Sequence, residues 1–514
     1  MKENDEKLKI GFLFGAGAEL CYGLPSGGDF AINIFRQDSS NSKQKFKDLI
    51  SKIDIDSTYA NKWLPKDYNL KSISVFGKKV YEDIIKSTVE QNRDKVIEKL
   101  NAIDDIAKKI VDQLSSEEID IDNAFLLYNG QIVDETCLGQ RFSFATELKD
   151  GNKLFESNYF SSLMFSYKNS RKNKDPRTTE LVSIILSICQ LQIGALVQNL
   201  TRKINDGIFE KKDDEIDFLD DIGDFISLNY QSAGVNGLEY LLKVKKPDLK
   251  DNLGKIIYFG QKLLERIFSS VLDYKSLIDS NWFYLYYPKS EWAKFCKISI
   301  FLLNVRNYII EQFESLKDDC KGYYDDISEA IQNNKFEITY LGTTNYTPII
   351  SKRINNQNVV HLNGSTSLWY DPYLNKVLSE EEIENVKRFV IPLLFTQSGT
   401  KPMISIKMTQ QYVAYYNALK ESNKICVIGF GFNSDDEHIN SLFRELIEEG
   451  KEIIIILKDS KLFTKKEKQN ELAERLKIKD KNKINIVLVD DEREIESMNW
   501  LDYVLDKLDK RGMK

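Results

Sequence analysis

Four short segments of this chain carry residue types that can bind a nucleotide and act on it. The first is the turn Gly15-Ala16-Gly17-Ala18, which follows a short apolar run. A glycine-rich turn after a buried strand lets backbone N–H groups approach phosphate oxygens, and the start of a following helix adds further N–H groups. The spacing is not GxGxxG, so this turn alone is equally well explained as a tight turn without a ligand. The loop GLPSGGDF continues the segment, and with its rigid Pro25 it is able to fold over a bound nucleotide.

The second and third segments place amide and imidazole side chains at the ends of predicted strands. Asn345 in LGTTNYT carries both a donor and an acceptor, which suits a ribose hydroxyl or a carboxamide. From this segment alone, a helix N-cap explains Asn345 equally well. In VVHLNGS, strand alternation puts His361 and Asn363 on one face. The chain has only two histidines, His361 and His438, and a lone histidine is more often structural than catalytic.

The fourth segment is another apolar run that ends in glycines, ICVIGFGFNSDDEHIN from residue 425 onwards. An acidic turn and an amphipathic helical pattern follow the glycines. Gly429 and Gly431 allow the adenosine half of a dinucleotide to lie close, and Asn433 is able to contact its ribose. Asp435 or Asp436 is equally well explained as the N-cap of the helix.

Strand and helix patterns alternate near both ends of the chain, and this alternation predicts how the segments are positioned. Apolar runs typical of buried strands occupy residues 8–14, 337–343, 359–364, 389–395, 425–431, 453–459 and 484–490. Helical patterns lie between many of them, at 409–421 and 438–449, and another closes the chain at 495–507. The alternation indicates the α/β class with a Rossmann-like, doubly wound parallel sheet. Such sheets bind ligands at the carboxyl ends of their strands.

The middle of the chain lacks this rhythm, and we interpret it as a large, mostly helical insertion. Long charged stretches with helical periodicity lie at 80–114 and 298–333. We therefore expect a nucleotide-binding domain built from residues 1–39 and 336–514, interrupted by a helical, regulatory region at 40–335. The most apolar stretch, 181–200, has polar residues along one helix face, which predicts a buried helix rather than a membrane span.

The overall composition favours a globular protein and argues against several other classes. Hydrophobic residues make up 42% and charged residues 29% of 514 residues, which is typical of a folded globular chain. The net charge of −7 provides no broad basic surface for nucleic acid. The six cysteines form no CxxC pair, so we expect reduced thiols and no zinc module. The charged N-terminus lacks the apolar core of a signal peptide, so we expect a cytoplasmic protein without a membrane segment.

Taken in order, the four segments resemble the sirtuin-like family. The match covers residues 8–36 and 337–490: GAGA, then TTNY, then a strand ending in x-Gly-Ser, then VIGFGF followed by DDEHIN. Because that family binds NAD across a Rossmann-like domain, the resemblance implies a sirtuin-like sheet with NAD as the ligand. The classical branch removes acyl groups from lysine and carries a small zinc module, which these cysteines cannot build. The chain looks more like the bacterial branch, whose members hydrolyse NAD in anti-phage defence and usually carry or associate with a separate sensor.

The resemblance also implies roles for individual positions. Asn345 matches the residue that contacts the nicotinamide ribose and helps to position the attacking water. The implied cofactor-binding residues are Gly15, Ala16, Gly17, Ala18, Glu19, Pro25, Ser26, Asp29, Phe30, Thr344, Gly429, Gly431 and Asn433. Three positions depart from the family pattern. Glu19 stands where Ser is more usual, Thr347 where the family often has Asp, and Asn363 where the family has its catalytic His.

These departures lead to three hypotheses about function. The first is an NAD hydrolase that releases nicotinamide and ADP-ribose without a metal and depletes NAD when triggered. An Asn cannot titrate near neutral pH, so His361 substitutes for the missing base, or the reaction needs none, or the chain is weak or inactive. The second is a non-catalytic, nucleotide-binding subunit of a defence complex, and the third and least favoured is a protein deacylase. A cellular NAD hydrolase must be restrained, which predicts a homo-oligomer, a separate sensor or activator subunit, or both.

Overall fold

The computed structural model describes most of the chain. The described residues are 7–24, 27–77, 89, 93–137, 153–205, 215–217, 227–229, 235–271, 277–278, 281–316, 320–354, 359–394, 405–459 and 464–506. The chain divides into two compact units. The first unit contains residues 1–26, 37–76 and 275–514, and the second contains residues 27–36 and 77–274.

The strands of the described residues belong to one large sheet and three small ones. In chain order they are β1 (Lys9–Phe14), β2 (Glu215–Asp217), β3 (Ser227–Asn229), β4 (Glu337–Thr343), β5 (Val359–His361), β6 (Gly364–Asp371), β7 (Lys376–Ser379), β8 (Ile391–Leu394), β9 (Lys424–Ile428), β10 (Ile453–Lys458), β11 (Ile484–Val489), β12 (Glu494–Ile495) and β13 (Met498–Asn499). The large sheet has six parallel strands in the order β11-β10-β9-β1-β4-β5.

The order of the six parallel strands is that of a doubly wound sheet. Counted along the chain, the strands lie in the order 3-2-1-4-5-6, with β1 in the centre between β4 and β9. This is the strand order of Rossmann-like folds, so the predicted α/β class with a parallel sheet is confirmed. The direction in which strands are added reverses between β1 and β9. In sheets of this kind, the crevice at the carboxyl end of that reversal is where ligands bind.

The helices of the described residues connect these strands and form most of the second unit. They are α1 (Gly27–Arg36), α2 (Ser40–Ser51), α3 (Thr58–Trp63), α4 (Arg93–Asn101), α5 (Ile103–Ser116), α6 (Ile121–Asn129), α7 (Asn158–Lys172), α8 (Thr178–Asn205), α9 (Val235–Lys243), α10 (Asn252–Val271), α11 (Trp292–Glu314), α12 (Tyr323–Gln332), α13 (Ile349–Arg353), α14 (Ile406–Glu421), α15 (Glu437–Glu448), α16 (Lys465–Leu476) and α17 (Trp500–Asp506). In the first unit, helices cover both faces of the large sheet.

Buried side chains on both faces explain why the strands are nearly continuous apolar runs. On one face, Phe12 of β1 and Ile428 of β9 belong to a core with residues of α12, α13 and α17. On the other face, Leu13 of β1 and Val427 of β9 belong to a core with residues of α14, α15 and α16. Successive residues of one strand therefore enter different cores, as in other parallel sheets covered by helices.

Two predicted elements differ from the structure. The apolar run 389–395 was expected among the strands of the parallel sheet, but β8 pairs antiparallel with β6 in the separate sheet β7-β6-β8. Pro392 lacks an N–H donor and lies in β8 at an edge of that small sheet, where prolines are tolerated. The helical pattern predicted from residue 495 begins only at Trp500, because β12 and β13 form a short antiparallel pair before it.

The second unit is mainly helical and has its own core. Leu181, Ile184 and Ile188 of α8 are fully buried in that core, so the prediction of a buried helix is confirmed for residues 181–192. Among the helices of the described residues, none has the length and hydropathy needed to cross a membrane. The units divide at places other than the expected 40 and 335. Residues 37–76 and 275–335 belong to the first unit, in which Phe46 packs on Phe295 and Phe389.

Candidate functional site

The four segments singled out in the sequence all follow strands of the parallel sheet. They come after β1, β4, β5 and β9, which are neighbours in the order β9-β1-β4-β5. Because these strands are parallel, their carboxyl ends lie at one edge of the sheet. The turns at 15–18, 344–347, 362–364 and 429–433 therefore meet at the reversal of strand order, where doubly wound sheets bind ligands.

The glycine turns after β1 and β9 contact each other directly. The Gly15 N–H donates to Ile428 O at 2.9 Å, and the Gly17 N–H donates to Gly429 O at 3.0 Å. Gly429 has a φ of +67°, and a Cβ at this position would lie 2.1 Å from the Ala18 nitrogen. Glycine is therefore required by the close approach of the two turns. The sequence prediction had attributed these glycines to the approach of a nucleotide.

The turn after β1 offers fewer free N–H groups than the sequence predicted. Residues Ala16–Ala18 and Leu20–Tyr22 form short 3-10 turns, and no α-helix begins directly after the glycines. The Ala18 and Glu19 amides donate to Gly15 O and Ala16 O, respectively. Among residues 15–19, Ala16 is the exposed one, and its amide donates to no residue that the structure describes. Of the several N–H groups expected to bind phosphate, only that of Ala16 has no partner among residues 15–19.

Asn345 joins the turn after β4 to the turn after β1. Its Nδ2 donates to Gly15 O at 3.0 Å, and its backbone N–H donates to the Thr343 hydroxyl at 3.0 Å. The neighbouring Thr344 N–H donates to Phe14 O at 2.9 Å, so the two turns are held together at two points. The Asn345 side chain is buried, and among the described residues no donor is hydrogen-bonded to its Oδ1. That oxygen is the remaining polar atom with which Asn345 can accept a hydrogen bond.

Glu19 forms a buried polar cluster beneath these two turns. Its carboxylate is only 3% exposed and accepts hydrogen bonds from Tyr324 Oη at 3.0 Å and from Thr347 Oγ1 at 2.8 and 2.9 Å. Burial raises the pKa of Glu19 from 4.5 to about 7, although the hydrogen bonds act in the opposite direction.

Two of the three departures from the family pattern contact each other here. The resemblance implies a hydroxyl at position 19 and a carboxylate at position 347, whereas this chain has Glu19 and Thr347. The hydroxyl of Thr347 donates directly to the carboxylate of Glu19. The two departures therefore form one hydrogen-bonded pair beneath the turns.

His361 lies beside Asn345. It is the last residue of β5, and its Nδ1 is 3.1 Å from the backbone oxygen of Asn345. A backbone carbonyl only accepts hydrogen bonds, so Nδ1 carries the proton and Nε2 of the neutral ring is an acceptor. Burial lowers the pKa of His361, which favours this neutral form.

Asn363 does not share a strand face with His361, contrary to the prediction. The strand β5 ends at His361, and residues 362 and 363 form a turn before β6. Asn363 is 1% exposed, and its Oδ1 lies 3.2 Å from Nε2 of His438, in the first turn of α15. The same turn is held by Tyr412, whose hydroxyl donates to Leu362 O at 2.7 Å.

The turn after β9 is supported by an arginine from α16. Nη1 of Arg475 donates to Gly431 O at 2.6 Å and to Asn433 Oδ1 at 2.9 Å. A Cβ on Gly431 would meet nothing closer than 3.5 Å, so space remains beside this glycine. Phe432 has a φ of +48°, a strained value for a residue with a side chain, and it packs between Phe430 and Phe443.

The remaining predicted site residues stay predictions. Pro25 and Ser26 lie outside the described residues. Asp29 and Phe30 are in α1, which belongs to the second compact unit. Among the described residues, no three His, Cys, Asp or Glu side chains are grouped in a way that could hold a metal ion.

Sequence reasoning missed four side chains that shape the site. They are Tyr324, Tyr412, His438 and Arg475. His438 alone had a visible signal, because it is one of only two histidines and follows the last glycine turn. The others lie in helices whose patterns indicate no site, and their contacts become evident only when distant segments fold together.

Comparisons with known proteins do not assign this chain to a family. No family model matches it, and no curated protein matches it.

Proposed function

We propose that this protein hydrolyses NAD to nicotinamide and ADP-ribose. The proposal is carried by one observation: Asn345 links the turns after β1 and β4 through its Nδ2, while its Oδ1 accepts nothing from the described residues. It stands at the strand ends where doubly wound sheets bind ligands. An acceptor at that place suits a ribose hydroxyl or a water molecule that attacks the ribose.

The chemistry of this substrate demands little from the protein. When the bond between nicotinamide and ribose breaks, its electron pair leaves with the ring and neutralises the positive charge there. The ribose carbon gains oxocarbenium character and is then attacked by water, as in glycoside cleavage. The protein must hold the ribose, position one water and exclude others, which are tasks of orientation.

Among the described residues, His361 is the only histidine beside Asn345. Its tautomer, with the proton on Nδ1, leaves Nε2 able to act as a general base. Since its Nδ1–H is engaged by Asn345 O, the Nε2 lone pair is available to accept a proton from water. Its pKa is lowered by burial, so the neutral ring predominates at neutral pH. In this proposal Asn345 orients the ribose or the water and His361 accepts the proton.

The test is nicotinamide release from NAD by purified protein, comparing the wild type with Asn345→Ala. We expect the substitution to lower kcat/KM by about 100-fold or more, because a preorganised polar contact at the reacting centre is lost. Asn485→Ala is a matched control, since Asn485 lies on the edge strand β11 and its side chain donates to Glu452. Undiminished turnover by Asn345→Ala would refute the assignment.

A second candidate is a nucleotide-binding subunit without catalytic activity. It is favoured by Asn363, a side chain that cannot titrate, at the position where the resemblance implies a catalytic His. Calorimetric titration with NAD, run beside the release assay, separates the two candidates. Tight binding without nicotinamide release, with and without candidate activators, would favour this second function.

We further propose, on the resemblance alone, that the activity belongs to bacterial anti-phage defence. An enzyme that depletes NAD must be restrained, which fits a homo-oligomer, a separate sensor or activator subunit, or both. NAD measured in infected cells should fall with the wild type and remain steady with Asn345→Ala. A fully active monomer in mass photometry would contradict the proposed restraint.

A further inference from the structure

The turn that carries Asn345 is tied to the turn after β1 by two kinds of hydrogen bond. At Asn345 itself, Nδ2 donates to Gly15 O. Two residues later, the Thr347 hydroxyl donates to the carboxylate of Glu19. The first bond is made to a backbone oxygen, which every residue type provides, whereas the second needs an acceptor side chain at position 19. Glu19 is therefore the side chain through which the first turn holds the second.

A helix outside the two turns fixes the Glu19 carboxylate. Tyr324 of α12 donates its hydroxyl to Oε1 of Glu19 at 3.0 Å, and Thr347 donates to the same oxygen at 2.9 Å. The Tyr324 ring is completely buried, stacks on Tyr22 at 5.5 Å and packs edge-to-face on Phe14 at 4.9 Å. Because a close-packed ring cannot move without disturbing its neighbours, the carboxylate is held in the position that receives the Thr347 hydroxyl.

Stability alone does not explain why a carboxylate occupies this place. Among the residues that the structure describes, no cation contributes to the pKa of Glu19, which is shifted by burial and by hydrogen bonds with neutral groups. A buried charge without a countercharge is unfavourable, and an apolar side chain would avoid that cost. Carboxylates with strongly shifted pKa values are concentrated at functional sites. The position of Glu19 beneath two turns of the candidate site is consistent with such a role.

We propose that Glu19 is a positioning residue that sets the direction of the Asn345 side chain through the Thr347 hydroxyl. This inference rests on the proposed function in assigning the reacting ribose or water to Asn345. Thr347 is held on one side, and the backbone oxygen of Asn345 accepts from His361 on the other. The Asn345 amide then keeps the orientation in which Nδ2 donates to Gly15 O and Oδ1 is directed away from that oxygen. Glu19 acts through Thr347 and does not itself touch the dinucleotide.

The test compares Thr347→Val with Thr347→Ser in nicotinamide release and in NAD affinity. Val keeps the shape of the side chain but removes the hydroxyl, whereas Ser keeps the hydroxyl and loses a methyl group. We expect Val to lower kcat by about tenfold or more and to change NAD affinity by less than about threefold, because a small displacement at the reacting centre lowers the rate. Ser should restore at least half of that loss on a logarithmic scale. A role of the methyl group in packing alone would give the opposite order.

Two further variants keep the test independent of folding. Thr347→Val alone leaves a buried carboxylate with fewer donors, which destabilises the fold, so the same pair is also compared in a Glu19→Gln background. The Gln amide is uncharged and keeps an acceptor oxygen, and we expect the same order of Val and Ser there. Thr339→Val is the matched control, because it makes the same change farther from the turn in β4, where the hydroxyl is bonded to Ser422.

Hydrogen exchange provides a readout that needs no NAD. The Thr344 and Asn345 amides donate to Phe14 O and to Thr343 Oγ1, and their exchange reports how firmly this turn is held. We expect both amides to exchange at least about tenfold faster with Val at position 347 than with Ser.

The outcomes separate this inference from the proposed function. Equal kcat values of the Val variant and the wild type would overturn the inference. Equal losses in the Val and Ser variants with unchanged melting temperatures, or equal exchange rates of the two amides in both variants, would also overturn it. If no form of the protein releases nicotinamide while Val alone speeds the exchange, the proposed function fails and the hold of Glu19 on the Asn345 turn stands.

Discussion

At the scale of single residues, Glu19 makes the stability of the protein depend on pH in a direction opposite to that of a salt-bridged carboxylate. Burial raises its pKa to about 7 in the folded chain, so the folded protein retains a proton that the unfolded chain releases above pH 4.5. The stabilisation by that proton is complete below the unfolded value and is lost as the pH rises through about 7.

We predict that Glu19→Gln removes this loss of stability. Relative to the wild type, the free energy of unfolding of the variant should rise by about 2 to 3 kcal/mol between pH 5 and pH 8. Urea unfolding at the two pH values measures this difference. Glu337→Gln, at the exposed start of β4, is a control that should show no such change. Parallel pH dependence of the wild type and Glu19→Gln would show that Glu19 does not titrate in this range.

At the scale of elements, the contact between the two glycine turns determines how β1 and β9 present their ends. The Gly15 and Gly17 N–H groups donate to the backbone oxygens of Ile428 and Gly429, at the end of β9. A Cβ on Gly429 would collide with the Ala18 nitrogen. The Glu19 cluster and Asn345 lie on the β4 side of the same turn. Moving the turn after β1 would therefore disturb both the β4 side and the β9 side of the site.

We predict that Gly429→Ala destabilises the fold much more than Gly450→Ala does. Both glycines have positive φ, at +67° and +97°, but nothing lies within 4 Å of a Cβ at Gly450. Gly450→Ala, the control, should lower the free energy of unfolding by about 1 to 2 kcal/mol through backbone strain alone. Gly429→Ala adds a collision between the new Cβ and the backbone, so it should lower the free energy of unfolding by at least about 3 kcal/mol. Denaturant unfolding measures both values. Similar costs would mean that the two turns separate easily.

At the scale of the whole molecule, each compact unit has a hydrophobic core of its own. In the second unit, Phe125 packs edge-to-face on Phe259 at 5.6 Å. In the first unit, Phe443 packs on Phe432 at 5.5 Å, next to the turn after β9. Separate cores allow the two units to unfold in separate steps.

We predict two calorimetric transitions that respond to different substitutions. Phe125→Ala should lower the midpoint temperature of one transition, and Phe443→Ala that of the other. Each substitution should reduce the free energy of unfolding of the affected unit by about 3 to 5 kcal/mol. On the proposed function, saturating NAD should raise the transition sensitive to Phe443→Ala. A single transition lowered equally by both variants would show that the units unfold together.

The sequence by itself determined the class of fold, and it predicted four segments as candidates for a site. Apolar runs such as 453–459 and 484–490 became β10 and β11 almost residue for residue, because burial on both faces selects β-branched residues. Each of the four segments could be recognised because it is one continuous stretch of chain that directly follows a strand. Residues that are neighbours in such a stretch remain neighbours in the folded protein.

Only the tertiary structure decided which of these residues meet. The strand order, the pairing of Glu19 with Thr347 and the contact between Asn363 and His438 all join segments far apart in the chain. Hydrophobic periodicity shows that a strand is buried but not which strand lies beside it, and so 389–395 was misplaced in the large sheet. Gly15, Gly17 and Gly429 were recognisable as close-approach residues, but the partner of each was the opposite turn. Such partners depend on packing between distant segments, which no local pattern records.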